Sequence, residues 1–508
     1  MPSPLHNVSR WIAQRALLEP DHLAIVDDQR ALTYRQLEER TARAAGLLAA
    51  RGIRPGDRVA LLLGNRSAYL ELLFGAARLG AIAMPVNTRL APPEIAELLD
   101  DARPAGLVHE HELRDLAQAA AGASKVRPWQ LEVGGEADPY EDELASHGPH
   151  ADIAAVEPET PMILMHTSGT TGVPKGALLP HRKTLYNSLN AQLFFGCTSE
   201  DRVLVVVPLF HSFGLKILAI PALYAGATVR LQAHFDPEGV WRTVEREGIT
   251  YFGGVPTMFH ALQGALDSTG ADVSSLRFLF TAGAAIPVER IHAFEERGLR
   301  LKQGFGQTET SILCCLGATD AIRKAGSVGR PVFHAELRII REATLAEPPE
   351  RWEDCAPDED GEIVVRGPIT MLGYWERPEA NAETLREGWL RTGDLARMDE
   401  EGFVTLTGRA RDMFISGGEN VYPRQVEAVY EEHPDIREIA VVGVPDERWG
   451  ETGRAYVVME PGCTLDAKAL QNWGRERIAS FKVPTEYRAV EALPKTVTGK
   501  VQKFRLAP

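Results

Sequence analysis

The stretch Thr167-Ser168-Gly169-Thr170-Thr171-Gly172-Val173-Pro174-Lys175-Gly176 gathers hydroxyls, glycines and a single lysine. Small residues let backbone N–H groups approach an oxyanion closely, hydroxyls add donors, and the lysine adds a point charge. That equipment suits a polyphosphate. In a P-loop the lysine directly follows a glycine and precedes Ser or Thr. Lys175 instead stands between Pro174 and Gly176, so any phosphate loop here is of another kind. Taken alone, the same composition also describes a surface turn.

An apolar run, Met162-Ile163-Leu164-Met165, leads into the loop and predicts a buried strand. Residues 56–87 read strand, helix, strand. The unit recurs over Val203–Val207, Leu215–Tyr224 and Thr228–Leu231, and again over Thr250–Gly253, Pro256–Leu266 and Leu276–Phe280. Repeated β-α-β order predicts parallel sheets covered by helices. Residues 136–160, acidic and proline-rich, predict an exposed approach to the loop, and residues 341–361 a second acidic surface excursion. Beyond Arg409 a compact α+β unit of roughly 100 residues is expected. The fold class is therefore α/β: a large N-terminal domain of parallel-type β/α units (1–408) and a small mobile α+β C-terminal domain (412–508). Gly408-Arg409-Ala410-Arg411-Asp412, charged and led by glycine, marks the joint, with 409–411 as hinge.

At 508 residues the chain exceeds one simple core. Its net charge of −15 argues against nucleic acid or an anionic membrane as the main partner. The five cysteines are scattered and lack metal-ligand spacing. Reduced thiols, no signal-peptide pattern and no run near the ~20 apolar residues of a spanning helix predict a cytoplasmic protein without integral membrane association.

Further stretches carry chemistry: Pro208-Leu209-Phe210-His211-Ser212-Phe213-Gly214, Gly304-Phe305-Gly306-Gln307-Thr308-Glu309-Thr310, Trp389-Leu390-Arg391-Thr392-Gly393-Asp394 and Pro494-Lys495-Thr496-Val497-Thr498-Gly499-Lys500. With the hydroxyl/glycine loop and Gly408-Arg409, in this order from about residue 10 to about residue 505, the chain resembles the acyl-adenylate-forming superfamily. Within it the chain looks most like AMP-forming acyl-CoA synthetases of the fatty-acyl and aryl types. The resemblance implies two steps. A carboxylate attacks the α-phosphorus of ATP to give acyl-AMP and pyrophosphate, and the thiol of coenzyme A then displaces AMP. Positioning and electrostatics should dominate the first step.

The resemblance also implies roles for single residues. Thr167 through Gly176, including Ser168, Gly169, Thr170, Thr171 and Gly172, would cradle the β- and γ-phosphates with Lys175 as the mobile charge. Glu309, with Thr167 second, would hold Mg²⁺. Phe305, between Gly304 and Gly306, would stack on adenine, and Gln307 and Thr308 share that nucleotide motif. Asp394 would accept from the ribose hydroxyls, and Arg409 would contact ribose or phosphate. Lys500 would swing in for adenylation only, as the C-terminal unit pivots at Arg411. After rotation Ser416-Gly417-Gly418-Glu419-Asn420 would face the site. Gly417 and Gly418 leave room for a pantetheine arm, with Trp449, Phe481 and Lys482 as further coenzyme A contacts.

His211 stands where amino-acid-activating relatives carry an aspartate, and a neutral imidazole gives an ammonium no counter-charge. The flanks Phe210 and Phe213, with Ala282, Gly283, Ala284, Ile312 and Leu313, predict an apolar pocket for a hydrophobic fatty or aromatic monocarboxylic acid. Lys216 is expected to turn to solvent. The small-molecule acid is the main partner, and a homodimer would fit the resemblance. The rival readings are an enzyme that loads a carrier-protein pantetheine, a luciferase-like oxidation of the adenylate, and a non-catalytic nucleotide sensor. The sensor would be expected to have lost Lys500, Glu309 or Asp394, and all three are present.

Overall fold

In the computed structural model the described residues are 1–508 apart from 168–173, 283–285, 287, 410–413, 422, 495–500, 502, 504, 505, 507 and 508. The side chains of 407–409, 420 and 424 are likewise outside the description. Three sheets build the large body. One has seven strands, of which Arg58–Leu62, Ile82–Pro85, Gly106–Glu110 and the edge strand Trp129–Val133 run parallel. Helices Ser67–Arg78 and Pro92–Ala102 connect them, as β-α-β order requires. The predicted apolar strand is Pro161–Thr167, with Met162 to Met165 buried, and it pairs antiparallel with Lys175–Pro180. That hairpin brings Thr167 directly opposite Lys175.

The second sheet has nine strands. Arg202–Val205, Thr228–Leu231, Tyr251–Gly254, Phe278–Ala282 and Leu301–Gln307 are parallel, and Ser311–Leu316 turns back antiparallel on the last of them. At the other edge the first strand of the chain, Leu23–Val26, lies beside Thr228–Leu231. Between Arg202–Val205 and the helix Ile220–Ala225 runs a π-helix, Phe213–Ala219. The wider turn of a π-helix is frequent at functional sites. Here residues 213 and 217 fall on one side, and Gly214 packs so closely on Val207 and Pro208 that an added Cβ would meet the Val207 and Pro208 carbonyl oxygens within 2.7 Å.

Two regions differ from the sequence expectations. Residues 136–160 contain a helix, Pro139–Ser146, in which the Asp138 carboxylate accepts from Glu141 N and Pro139 opens the first turn. Tyr140 and Leu144, four apart, bury its inner face, and the Tyr140 hydroxyl donates to Glu71 at 2.8 Å. The third sheet, Glu336–Ile340, Gly361–Arg366, Leu385–Arg386, Trp389–Met398 and Val404–Arg409, is wholly antiparallel, not a β/α unit. Its last strand carries the Arg409 backbone, paired with Asp394, so the large body extends through the first residue of the expected hinge.

The small body is a five-stranded sheet in which Ile436–Asp446 and Gly450–Met459 form the long central pair. Helices Pro423–Glu431 and Ala467–Arg475 cover it, and Tyr430, Val426 and Leu470 fill its own core. Burying each such side chain contributes roughly 1.5–3 kcal/mol, enough in sum for an independent core.

Candidate active site

Thr167, Glu309 and Tyr374 meet at the mouth of the hydroxyl/glycine loop. Glu309 lies in the turn joining Leu301–Gln307 to Ser311–Leu316, and its Oε1 accepts from the Tyr374 hydroxyl at 2.9 Å and from the Thr167 hydroxyl at 3.3 Å. Lys175 is buried, and its Nζ stands 5.3 Å from the Tyr374 ring centre. A carboxylate, a hydroxyl and an amine therefore share one small volume. Ser168 to Gly172 lie outside the described residues.

On the adjoining strand end Gly304, Phe305 and Gly306 line a cavity, and Phe305 is 9% exposed. The Gln307 side-chain amide donates to Asp394 Oδ2 and to the Thr392 carbonyl, and Asp394 is 2% exposed. Gln307 thereby joins two motifs that are far apart in the chain. The amide of Gln307 orients the Asp394 carboxylate, which keeps further acceptor capacity on its two oxygens.

The cavity, of about 400 Å³, spans the two bodies. Phe213, Phe280, Ile217, Met258, Ala282 and Ile312 give it apolar walls in the large body. Phe213 and Phe280 meet edge to face at 5.6 Å between ring centres. Gly253, on the strand beside Phe280, leaves the room that the Phe213 ring occupies, since a Cβ there would stand 3.0 Å from it. Gly417, Gly418, Glu419, Arg448 and Trp449 close the cavity from the small body. Gly417 and Gly418 both have positive φ, 57° and 85°, and a Cβ on Gly418 would stand 3.1 Å from Val255 of the large body. Only glycine permits that turn at that approach. The Arg448 guanidinium lies 4.6 Å over the Trp449 ring.

His211 and Glu419 join the bodies at the cavity's edge. His211 Nε2 stands 2.7 Å from Glu419 Oε2, and Arg89 donates to Glu419 Oε1 at 2.8 Å. Burial alone would raise the Glu419 pKa, but His211, Arg89 and Lys482 outweigh it and hold the carboxyl below its ordinary range. A second chamber, of about 100 Å³, lies next to this pair, bounded by Thr167, Thr308, Glu94, Phe481 and Lys482 among others.

Several expected positions fall elsewhere. Phe210 borders the smaller chamber rather than the large cavity. Leu313 is fully buried in the core, on the strand face opposite Ile312, because successive strand residues point to opposite sides. Trp449 borders the large cavity, Phe481 and Lys482 the smaller chamber, and the Lys482 amine donates to Glu94. Lys216 is not in solvent: it is 0% exposed, and its Nζ has no hydrogen-bond partner among the described residues. The π-helix packs on helix His181–Phe195, whose Asn187 donates to the Lys216 carbonyl. The amine is thereby enclosed, and burial lowers its pKa to about 7. A second buried lysine, Lys183, gives its hydrogens to Ser311 Oγ and the Ile369 carbonyl, each at 2.6 Å. Gly283, Ala284, Arg411 and Lys500 lie outside the described residues, as does the Arg409 side chain. Arg89, Glu94 and Tyr374 carry no motif that would have marked them, since each takes its place through a partner distant in the chain.

The family described as AMP-binding enzyme matches residues 12–375, and its C-terminal domain family matches residues 425–500. The chain belongs to the AMP-binding enzyme family. A feruloyl-CoA synthase of an Amycolatopsis species is 40% identical over 97% of both chains. An indoleacetate–CoA ligase of Aromatoleum aromaticum is 41% identical, over 98% of this chain and 96% of that one. Among solved AMP-binding enzymes, a double mutant of o-succinylbenzoate CoA synthetase from Bacillus subtilis, bound with its product analogue OSB-NCoA, superposes with a TM-score of 0.88 at 30% identity, covering 100% of this chain and 98% of that chain. The same enzyme in complex with the acyl-adenylate intermediate OSB-AMP gives 0.72 at the same identity and coverage.

Proposed function

We propose that this AMP-binding enzyme joins an aromatic monocarboxylic acid to coenzyme A through an acyl-AMP. The observation that carries the reading is the shared cavity. Its apolar walls, Phe213 and Phe280 foremost, suit a flat hydrophobic acid, and its nucleotide end is Gly304 to Thr308. Its lid is the Gly417–Gly418 turn of the small body. Acid, nucleotide and an incoming thiol thus have one meeting point. The feruloyl, indoleacetate and succinylbenzoate relatives support the aromatic preference over a fatty acid.

In the first step the acid's carboxylate oxygen bonds to the α-phosphorus and pyrophosphate leaves. Lys175 and the loop steady the departing phosphates, Asp394 and Phe305 hold the nucleoside, and Lys500 offsets charge at the reacting carboxylate. In the second step the sulfur of coenzyme A bonds to the acyl carbon and AMP leaves. Glu309 and Thr167 would hold Mg²⁺, which when bound offsets phosphate charge. One carboxylate and one hydroxyl suit a cation that keeps several waters and takes its other ligands from substrate phosphates. Among the described residues no group of three His, Cys, Asp or Glu forms an all-protein cage.

The higher structural agreement with the product-analogue complex, 0.88 against 0.72 for the acyl-adenylate complex, supports assigning the present arrangement of the two bodies to the second step. No helix among the described residues is long and apolar enough to cross a membrane. With all five cysteines free, we place the enzyme in the cytoplasm. The test is AMP formation from ATP that requires both an added acid and coenzyme A, screened over cinnamic, arylacetic, benzoic and straight-chain fatty acids. Aromatic acids should give the highest kcat/KM. Failure to cleave ATP between its α and β phosphates with any acid would remove the proposal.

A further inference from the structure

Lys482 and Glu94 form an ion pair across the two bodies that is more enclosed than the His211–Glu419 contact. Lys482, in the turn Ser480–Lys482 of the small body, donates to Glu94 Oε1 at 2.7 Å. The side chains are 4% and 8% exposed. Glu94 sits in the first turn of helix Pro92–Ala102 in the large body, where its Oε2 accepts from Ala91 N at 2.9 Å. The same oxygen accepts from Ala479 N of the small body at 2.8 Å. One carboxylate therefore caps a helix at home and takes both a charged and a backbone donor from the visiting body. Its position at the helix N-terminus also favours the ionised form.

A buried charge that loses its partner is costly, whereas a pair separated into solvent is rehydrated. Attraction between buried charges offsets their desolvation only where further hydrogen bonds complete the site. Glu94 has them from Ala91 N and Ala479 N, so the pair favours the arrangement in which it meets and does nothing for one in which the small body has rotated away. Lys482 is engaged with protein, not turned toward the large cavity beside Trp449. We propose that Glu94 and Lys482 are positioning residues for the second half-reaction: a latch that selects the closure in which the Gly417–Gly418 turn faces the acyl pocket. This rests on the two-step reading of the site, and it assigns the pair no contact with coenzyme A.

The test uses the full-length enzyme with Lys482→Met, Glu94→Gln and the double variant. Two half-reactions are timed separately: pyrophosphate release from acid and ATP, and thioester formation from pre-made acyl-AMP and coenzyme A. Each single variant should slow thioester formation at least tenfold and leave pyrophosphate release within twofold. The double variant should be no worse than either single one, because the two groups act as a unit. Lys482→Arg, which keeps the charge, should recover most of the rate. Independently of turnover, a dye pair with one dye on each body should report a smaller closed fraction in Lys482→Met than in wild type. Equal slowing of both half-reactions, additive losses, or an unchanged closed fraction would overturn the latch. So would a raised KM for coenzyme A with closure unchanged, since Lys482 would then be a coenzyme A ligand. If wild type makes no thioester with any acid, the functional reading fails, while the dye measurement still decides whether the pair sets the closure.

Discussion

His211 Nε2 lies 2.7 Å from Glu419 Oε2, and these two atoms belong to the two different bodies of the fold. The imidazole lies two residues before Phe213, which opens the π-helix, and the carboxylate follows directly on Gly417 and Gly418. A residue lining the cavity from the large body thus touches the turn of the small body that closes it.

Replacing Glu419 by Gln keeps the shape and removes the charge. Thioester formation from acyl-AMP should fall roughly 10- to 100-fold, the scale of losing a buried hydrogen bond to a charged group. Pyrophosphate release should change little. The pH dependence has a definite sign. The Glu419 carboxyl is held below its ordinary value of 4.5 in the closed arrangement, so its support for closure is complete above that value. The support is lost as pH falls through the lowered value. Closed fraction measured against pH should drop in acid for wild type and be flatter for the Gln variant.

Lys500→Ala should abolish acyl-AMP formation, by more than about 100-fold given several kcal/mol of electrostatic stabilisation. Turnover of pre-made acyl-AMP with coenzyme A should persist. Equal loss in the two half-reactions would contradict the division of labour between the closures.

Gly253→Ala places a methyl group 3.0 Å from the Phe213 ring, so the ring must move, and the open side is the cavity. The kcat/KM for cinnamic acids should fall about tenfold or more while that for benzoic acid falls less. Stability should drop by about 1–3 kcal/mol, as for other overpacked cores. Urea denaturation and a two-acid kinetic comparison would check both parts.

Lys216→Met should stabilise the fold. The buried amine has its pKa lowered from 10.5 to about 7, so between those values the unfolded chain binds the extra proton. The wild-type penalty is therefore absent above pH 10.5, grows as pH falls, and levels off below about 7. At about 1.4 kcal/mol per pKa unit, the gain from Met should be several kcal/mol at pH 6 and small near pH 10. Urea midpoints of both proteins across that range decide it, and a pH-independent difference would show that the amine is not the cause.

The β/α units were legible because their strands are continuous apolar runs, buried on both faces, and the Met162–Met165 run is the clearest case. The small body was legible for the same reason. The antiparallel sheet from Glu336 to Arg409 was not, since Glu336–Ile340 and Trp389–Met398 mix buried with part-exposed residues and Leu385–Arg386 is only two residues long. Motif spacing singled out Thr167, Lys175 and Glu309, which the structure brings together, and Asp394, because each motif is local. No local signal marks Lys482 as a partner of Glu94, 388 positions away. Lys216 misled for a related reason: its flanks Leu215 and Ile217 do not tell which neighbour covers the face between them, and Asn187 and its helix do.

The edge of the nine-stranded sheet has a bearing on biosynthesis. Leu23–Val26 and Ala31–Thr33 leave the ribosome well before Thr228–Leu231, yet Leu23–Val26 pairs with that later strand and Ala31–Thr33 pairs with Leu23–Val26. Until that strand arrives, the opening segment has no place in the sheet. A polypeptide that began after Thr33 would present Thr228–Leu231 as an unpaired backbone edge, a template for pairing with other chains. Amino-terminal trimming should therefore harm yield through aggregation even though it removes nothing from the catalytic cavity.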